Sequence, residues 1–381
     1  MKNHILHISL LLLAFITLSG ILTIGCKTVS GQSFNEYEED VDFYPAYGYL
    51  DGDDWVIPLK LYIYEDRDYL ESIVFRLFRV FRSFTPGEEE IFRERMGAFA
   101  ADSESREIVQ FVFDNDPENE IFTILDEDGN PVRSDVHGIA GGEIRLPVGR
   151  AAALLEHQNA VNNWLTFTVV SEDHKGKGKI RLIDPEGVSI ISDIDDTIKI
   201  SEMPAGSRIA VRNAFYKPYA AATEMTGLFD QWRNKPVHYV SGTPRQFYRF
   251  LSEFHFSEEV NYPEGTFHLR DVRKHLFSLT TWSDLEDIIT AENVTYNHKL
   301  REMSKIVGHF PGREFILVGD SGQYDPEIFR EVDATFPGQV REIIIRDITN
   351  DRELNPERLD GMTVIPARTV EKGVSQFERI E

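Results

Sequence analysis

A single cysteine, Cys26, stands among 381 residues, so the chain cannot close an internal disulfide. Basic side chains are scarce too. Forty Lys and Arg against 64 Asp and Glu leave a formal net charge of -24. A field of that sign repels a phosphate backbone, and the sequence offers no locally basic groove to overcome it, which excludes broad nucleic-acid binding. It also disfavours phosphorylated small molecules, so any site that takes one must bring its own cation or clustered basic groups. Low-complexity tracts and internal repeats are absent. What remains, 41% hydrophobic and 27% charged residues, is a globular composition long enough for about two domains beyond a targeting segment.

Long apolar runs are limited to Ile8–Leu22 behind Lys2, about the length of a signal-peptide core and short for a membrane span. Export is the expectation. Cys26 follows directly, and Leu22-Thr23-Ile24-Gly25-Cys26 resembles the lipobox of bacterial lipoproteins, with Thr23 where leucine is usual. The resemblance implies a signal peptide over residues 1–25 and a lipid-capped Cys26 that anchors the exported protein in the cell envelope. A plain signal peptide, or an uncleaved anchor with an incidental cysteine, is the alternative. The polar, acidic stretch KTVSGQSFNEYEED reads as a tether, giving residues 26–40 to that role.

From residue 41 to 184 the runs VIPLKLYIY, REIVQFVF, EIFTIL, EIRLPV, WLTFTVV and KIRLI are β-branched and aromatic, and turn signals separate them. They predict a smaller β-rich domain. Helix-like apolar spacing around Ser72–Phe84 and Glu88–Ala100 predicts a helical insertion. After Asp184-Pro185-Glu186-Gly187 the pattern becomes apolar strands alternating with amphipathic helices: VSIISDI, MTGLFDQWRN, VHYVSG, RQFYRFLSEF, KLREMSKIVGHF, FILVGD and REIIIRDI. Such alternation predicts an α/β domain over 185–381 with a mostly parallel sheet, whose ligands sit at the carboxyl ends of the strands.

Candidate chemical residues fall just past those strand ends. ISDIDDT ends a strand in Asp193, Asp195, Asp196 and Thr197. One carboxylate can attack phosphorus while a second protonates the leaving group and later activates water. Two acids so close do not both ionise easily, and we expect Asp195 to stay protonated part of the time. Asp196 reads as a turn or helix cap. VHYVSGTP places Ser241 and the opened backbone at Gly242 on the same edge, able to bond phosphate oxygens, although alone it is an ordinary turn. Lys299 opens KLREMSKIVGHF and alone reads as a surface charge. FILVGDSGQYDP supplies Asp320 and Asp325, oxygen ligands of the kind magnesium requires.

Together these four elements match the motifs of the haloacid dehalogenase superfamily. IISDIDDTIKIS, YPEGTFHLRD, HKLREMSKIVGHFPGREFILVGDSGQYDPEIF and IIIRDI closely resemble the catalytic domain of actin-patch-protein phosphatidate phosphatases, relatives of the lipins. FYPAYGYLDGDDW also looks like the entry to the β-rich region before that domain. The resemblance implies a Rossmann-like phosphatase fold, Asp193 as nucleophile and Asp195 as general acid and base. It implies that Thr197 supports the loop, Ser241 and Gly242 bind the phosphoryl group, and Lys299 offsets charge. Mg2+ would be held by Asp193, the Asp195 carbonyl and Asp320, with Asp325 joining or orienting a water. The family often has Ser-x-Ser-Pro followed by an aromatic residue. Here SGTP is followed by Arg245, which either touches substrate phosphate or caps a helix. The implied reaction is hydrolysis of phosphatidate to diacylglycerol at a membrane. Another phosphomonoester, or a surface lipoprotein that binds a partner on a phosphatase-like scaffold, are the other readings. FHFSEEVNYPEGTFHL and FSLTTWSDLEDII either cap the site and meet lipid or belong to the core.

Overall fold

The computed structural model describes residues 39–65, 85–100, 102–171, 173–257, 260–272 and 282–368. Residues 1–38, which hold the apolar run, Cys26 and most of the expected tether, lie outside the described residues, as does Ser72–Phe84. The first strand begins at Glu39, inside the stretch 26–40.

Beyond Pro185 the short apolar runs become six strands: Glu186–Ser192, Val237–Pro244, Thr266–Arg270, Gly312–Asp320, Val340–Asp347 and Thr363–Pro366. Every neighbouring pair is parallel. A parallel sheet is covered on both faces, which is why its strands are continuously apolar rather than alternating. Successive side chains still point to opposite sides. Ile190 joins Phe229, Tyr239 and Val318 on one face, while Ile191 joins Met303, Val307 and Leu317 on the other. Helices Ser207–Phe215, Thr223–Asp230, Tyr248–His255 and Trp282–Ile289 contribute to the first layer. Glu292–His309 and Asp325–Thr335 form the second. The domain is α/β with a parallel sheet, as expected.

In space the strands run third, second, first, fourth, fifth, sixth in chain order. The order reverses beside Glu186–Ser192, opening a crevice above the carboxyl ends of that strand and of Gly312–Asp320, where doubly wound sheets take their ligands.

Residues 39–182 build a second, mixed sheet of ten strands. Its long strand Asp54–Glu65 pairs with Ile139–Pro147 along nine residues. Strand Ala46–Asp51 joins two parts of this sheet, pairing at its start with Lys177–Leu182 and at its end with Asp54–Glu65. The two parts enclose one core, in which Phe43, Leu59 and Leu61 meet Phe111, Phe113 and Phe167. Helix Val148–His157, which the sequence reading had not separated out, closes it with Ala151 and Leu154.

Helix Pro86–Ala100 confirms the helical spacing expected there, but it packs elsewhere than the β-rich core. Phe92 and Met96 are buried in the core of the parallel sheet, and Phe92 stacks on Tyr216 at 4.6 Å. Burying two such side chains contributes on the order of 2 kcal/mol each to holding the helix there. Tyr262, Phe267, Leu269, Leu285 and Ile288 also lie in that core, so the described parts of FHFSEEVNYPEGTFHL and FSLTTWSDLEDII are mainly structural.

Candidate active site

Asp193 follows the last residue of the first parallel strand, and its backbone N–H donates to the Val318 carbonyl at 2.9 Å. It thus faces the crevice from a fixed position. The chain then turns tightly. Asp196 sits at a φ of 59°, a conformation that aspartate tolerates better than most residues. Its carboxylate accepts the N–H groups of Ser201, Glu202 and Met203, each at 2.7 Å. Asp196 is therefore the turn organiser that its sequence context implied. Arg346 braces the turn from the fifth strand, donating to the Asp196 carbonyl at 2.6 Å and pairing with Glu224 at 2.6 Å.

Two distant segments converge on the Asp193 loop. Lys299 Nζ lies 2.7 Å from Asp193 Oδ1 and 2.7 Å from Asp325 Oδ1. Thr197 Oγ1 donates to Asp193 Oδ2 at 3.0 Å, so it positions that carboxylate and is itself fully buried. Asp325 accepts the Asp320 N–H at 3.1 Å. A side chain at Gly319 would collide with Asp325, so the glycine lets that carboxylate close on the strand end. Carboxylate oxygens of Asp193, Asp320 and Asp325 lie within 4.8 Å of one another, and all three residues are buried. Asp320 Oδ1 accepts from Gly322 at 2.6 Å, whereas Asp320 Oδ2 is buried with no hydrogen-bond partner. An oxygen-only set with one orphaned carboxylate oxygen fits a hard divalent cation.

Lys299 stands mid-helix in Glu292–His309 rather than opening it. It is 1% exposed, so the surface reading of this lysine fails. Burial would lower its pKa, but Asp193, Asp325 and Asp320 hold it raised.

Asp195 faces the same pocket from the other side. Ser241 Oγ donates to its Oδ2 at 2.9 Å and Thr243 Oγ1 at 2.5 Å. Lys199 Nζ pairs with Oδ1 at 2.7 Å, and Ser201 Oγ donates to it at 2.7 Å. The expectation for the two acids is thereby corrected. Burial would raise Asp195, but Lys199 and the hydroxyls of Thr243 and Ser201 hold it well below the usual carboxylate range. Asp193 is the raised group: burial pushes it up to about 8 against Lys299, with Asp325 and Asp195 adding to the rise. Asp320 is raised too, by burial and then by Asp325 and Asp193.

Gly242 separates the two hydroxyl residues because a side chain there would collide with Thr295 of the Glu292–His309 helix. Arg245 goes elsewhere. It is 2% exposed, ion-paired with Asp271 and set 5.2 Å from the Tyr44 ring. There it lines a separate cavity of about 690 Å³ together with Lys60 and Lys305, and it does not line the pocket on Asp193 and Asp195, so the expectation that it touches substrate phosphate is not supported by its position. The pocket on Asp193 and Asp195 is small, about 30 Å³, and its lining includes Met203, Tyr219, Phe247 and Ile289.

Lys199, Ser201 and Thr243 were not singled out as site residues in the sequence, although Lys199 lies only four positions after Asp195. The β-rich half reaches this site as well. Arg95 donates to the carbonyls of Ala214 at 2.6 Å and Lys217 at 2.8 Å.

Residues 188–347 match the family described as phosphatidate phosphatase APP1, catalytic domain. Over that stretch the chain is similar to this family. The resemblance read from ISDIDDT, Lys299 and GDSGQYD is thus borne out. Phosphatidate phosphatase APP1 of Saccharomyces cerevisiae is 30% identical over 176 residues, covering 44% of this chain and 27% of that protein. An uncharacterised protein of Schizosaccharomyces pombe is 28% identical over 180 residues, covering 45% of this chain and 27% of its own length. The chain therefore spans about a quarter of the length of these curated relatives. Among solved structures, a β-glucuronidase of Ruminococcus gnavus overlaps 84% of this chain and 46% of its own, at 13% identity and a TM-score of 0.21. A superposition that poor bears on neither fold nor activity. Among the described residues, no helix is long and apolar enough to cross a membrane.

Proposed function

We propose that the chain is a phosphatidate phosphatase of the haloacid dehalogenase superfamily that requires Mg2+ and works through an aspartyl phosphate. The observation that carries the reading is the convergence of Asp193, Lys299, Asp320 and Asp325 at the reversal point of a parallel sheet, with Asp320 Oδ2 left unpartnered. Asp193 Oδ1 and Oδ2 are held by Lys299 and Thr197, so the carboxylate is oriented before substrate arrives. Attack on phosphorus would transfer the phosphoryl group to Asp193, and water would then release it. Asp195 stands ionised beside Ser241 and Thr243, which suits taking a proton from that water. To protonate the leaving alcohol first, it must already carry a proton taken up from solvent, which its pairing with Lys199 opposes. Asp193, Asp320 and the Asp195 carbonyl would hold Mg2+, which when bound supplies the positive charge that offsets both the carboxylates and the phosphoryl oxygens.

Phosphatidate as substrate follows from the family and from the expected anchor at Cys26, which would keep the site near lipid. A pocket of about 30 Å³ has room for about one water. A headgroup needs more room than that, and a neighbouring cavity of about 270 Å³ lined by Lys299 and Asp325 shares Thr295 and Gln323 with this pocket. The test is phosphate release from dioctanoyl phosphatidate with and without Mg2+, set against soluble sugar phosphates. Release from the lipid alone, dependent on Mg2+ and reduced about a thousandfold or more in Asp193→Asn, is expected. Equal release from sugar phosphates points to another phosphomonoester, full activity in Asp193→Asn overturns the assignment of that residue as nucleophile, and no release by the parent from any phosphomonoester favours a binding module. Palmitate labelling that persists in Cys26→Ser would remove the anchor.

A further inference from the structure

Far from the crevice, the first strand of the β-rich half meets the short strand His174–Lys175 in parallel register, with Glu39 opposite His174. The Glu39 N–H donates to the Asp173 carbonyl at 2.7 Å, fixing the pair. A third residue, Glu107, reaches the same spot from the segment before Gln110–Phe113. Its backbone is pinned by buried Ser134, whose Oγ accepts the Glu107 N–H at 3.0 Å and whose N–H donates to the Glu107 carbonyl at 3.0 Å. One ligand atom from each of Glu39, Glu107 and His174 lies within 4.8 Å of the others.

The His174 side chain is 5% exposed, and neither ring nitrogen has a hydrogen-bond partner. Nε2 is 3.0 Å from Glu39 Oε2, yet Oε2 is likewise buried without a hydrogen bond. Leaving buried imidazole and carboxylate atoms unsatisfied costs about 1–3 kcal/mol each, and a ring nitrogen and a carboxylate oxygen that face each other at 3.0 Å without hydrogen-bond geometry can share a cation. No lysine or arginine forms an ion pair with Glu39 or Glu107 among the described residues. Glu104, Glu107, Asp173 and Glu65 surround Glu39 with negative charge.

We propose that Glu39, Glu107 and His174 form a second metal site, separate from the crevice, that takes a divalent transition ion of the zinc class. The donor set decides the class. One imidazole with two carboxylates suits Zn2+, with water completing the shell, whereas the all-oxygen set at Asp193 suits a harder ion. The ion ties strand Glu39–Phe43 to strand His174–Lys175 and to the Glu107 segment.

The experiment is zinc stoichiometry on the full chain by equilibrium dialysis, carried out in the Asp320→Asn background so that the crevice does not contribute. Asp320→Asn should retain one bound Zn2+ per chain. Adding His174→Asn should remove it, and the X-ray absorption spectrum of the zinc-loaded parent should carry imidazole scattering. Glu107→Gln should weaken zinc binding at least tenfold with an unchanged circular dichroism spectrum, which covers the case in which His174→Asn does not fold. Zinc binding of equal stoichiometry and affinity in the parent and in Glu107→Gln, or zinc without imidazole scattering, overturns the proposal.

Discussion

The guanidinium of Arg95 lies 3.8 Å from the ring centroid of Tyr219, joining a helix of the first half of the chain to the wall of the crevice. Lys199 Nζ sits 4.8 Å from the same ring, and Lys199 pairs with Asp195. Arg95 is 5% exposed and also satisfies the carbonyls of Ala214 and Lys217. Arg95→Ala leaves those acceptors without their donor and empties the space over Tyr219. We expect a loss of about 2–4 kcal/mol of stability and a phosphatase rate reduced several-fold at temperatures where the variant is folded. Arg95→Lys should recover only part of this, because an ammonium cannot reproduce the planar fork. Thermal unfolding together with initial rates decides it, and a variant indistinguishable from the parent in both would disconnect the two halves.

Lys199 makes a sharper prediction. With Lys199→Met, Asp195 keeps the hydroxyls of Ser241, Thr243 and Ser201 but loses the charge that holds it ionised. If Asp195 moves protons in the reaction, kcat should fall by about 10- to 1000-fold while KM changes little, since Lys199 pairs with Asp195 and not with Asp193. An unchanged kcat would mean that Asp195 has no part in proton transfer.

The legible part of the site was the part carried by strands. Asp193, Ser241 and Asp320 each stand at or near the carboxyl end of an unbroken apolar run, and a run of that kind in an α/β pattern has a fixed address in the fold. Lys299 was found by motif order, but its helix begins seven residues earlier at Glu292, because ENVTYNH reads as polar although Thr295 and His298 are buried. Lys199 was hidden for a related reason. In TIKIS it looks like a solvated lysine between isoleucines, and only the three-dimensional approach of Asp195, Ser201 and Tyr219 buries it. In the first half most strands were readable from their β-branched and aromatic content. Their partners were not, since the pairing of residues 39–43 with residues 61–64 and 174–175 has no local signature. The helix at Pro86–Ala100 was likewise readable as a helix, but not as one that leaves its own sheet to bury Phe92 and Met96 under the other.

Lys299 is the only side-chain ammonium or guanidinium paired with Asp193 among the described residues. Removing one member of a buried charged cluster costs about 3–5 kcal/mol because the remaining charges lose their compensation. Lys299→Met should therefore unfold at a markedly lower temperature than the parent in a chelator. Mg2+ should raise the unfolding temperature of the variant more than that of the parent, since an added cation replaces part of the missing charge. Equal unfolding temperatures in chelator would contradict the ion-pair geometry, whatever the activity.

Acid should destabilise the protein through its buried histidines. His255 is 2% exposed, and its Nε2 lies 3.1 Å from the Pro263 carbonyl. Burial pushes its pKa down to about 4, against that hydrogen bond. His268, His298 and His309 are likewise lowered to about 4, first by burial. In the unfolded chain an imidazole takes up its proton near pH 6.5, whereas the folded chain resists until about pH 4. The unfolded state therefore binds more protons throughout that interval, so stability rises with pH across it and is lost as pH falls from about 6.5 to about 4. At pH 5, His255 alone contributes a loss of about 2 kcal/mol relative to pH 7.5. Denaturant titrations at half-unit steps should give a positive slope of stability with pH in this window, and His255→Phe should reduce that slope by up to one proton even if it lowers stability everywhere. A flat profile between pH 7 and 5 in the parent would mean that these imidazoles are protonated in the folded state, and that the packing around Tyr239, Tyr262 and Phe267 accommodates the charge.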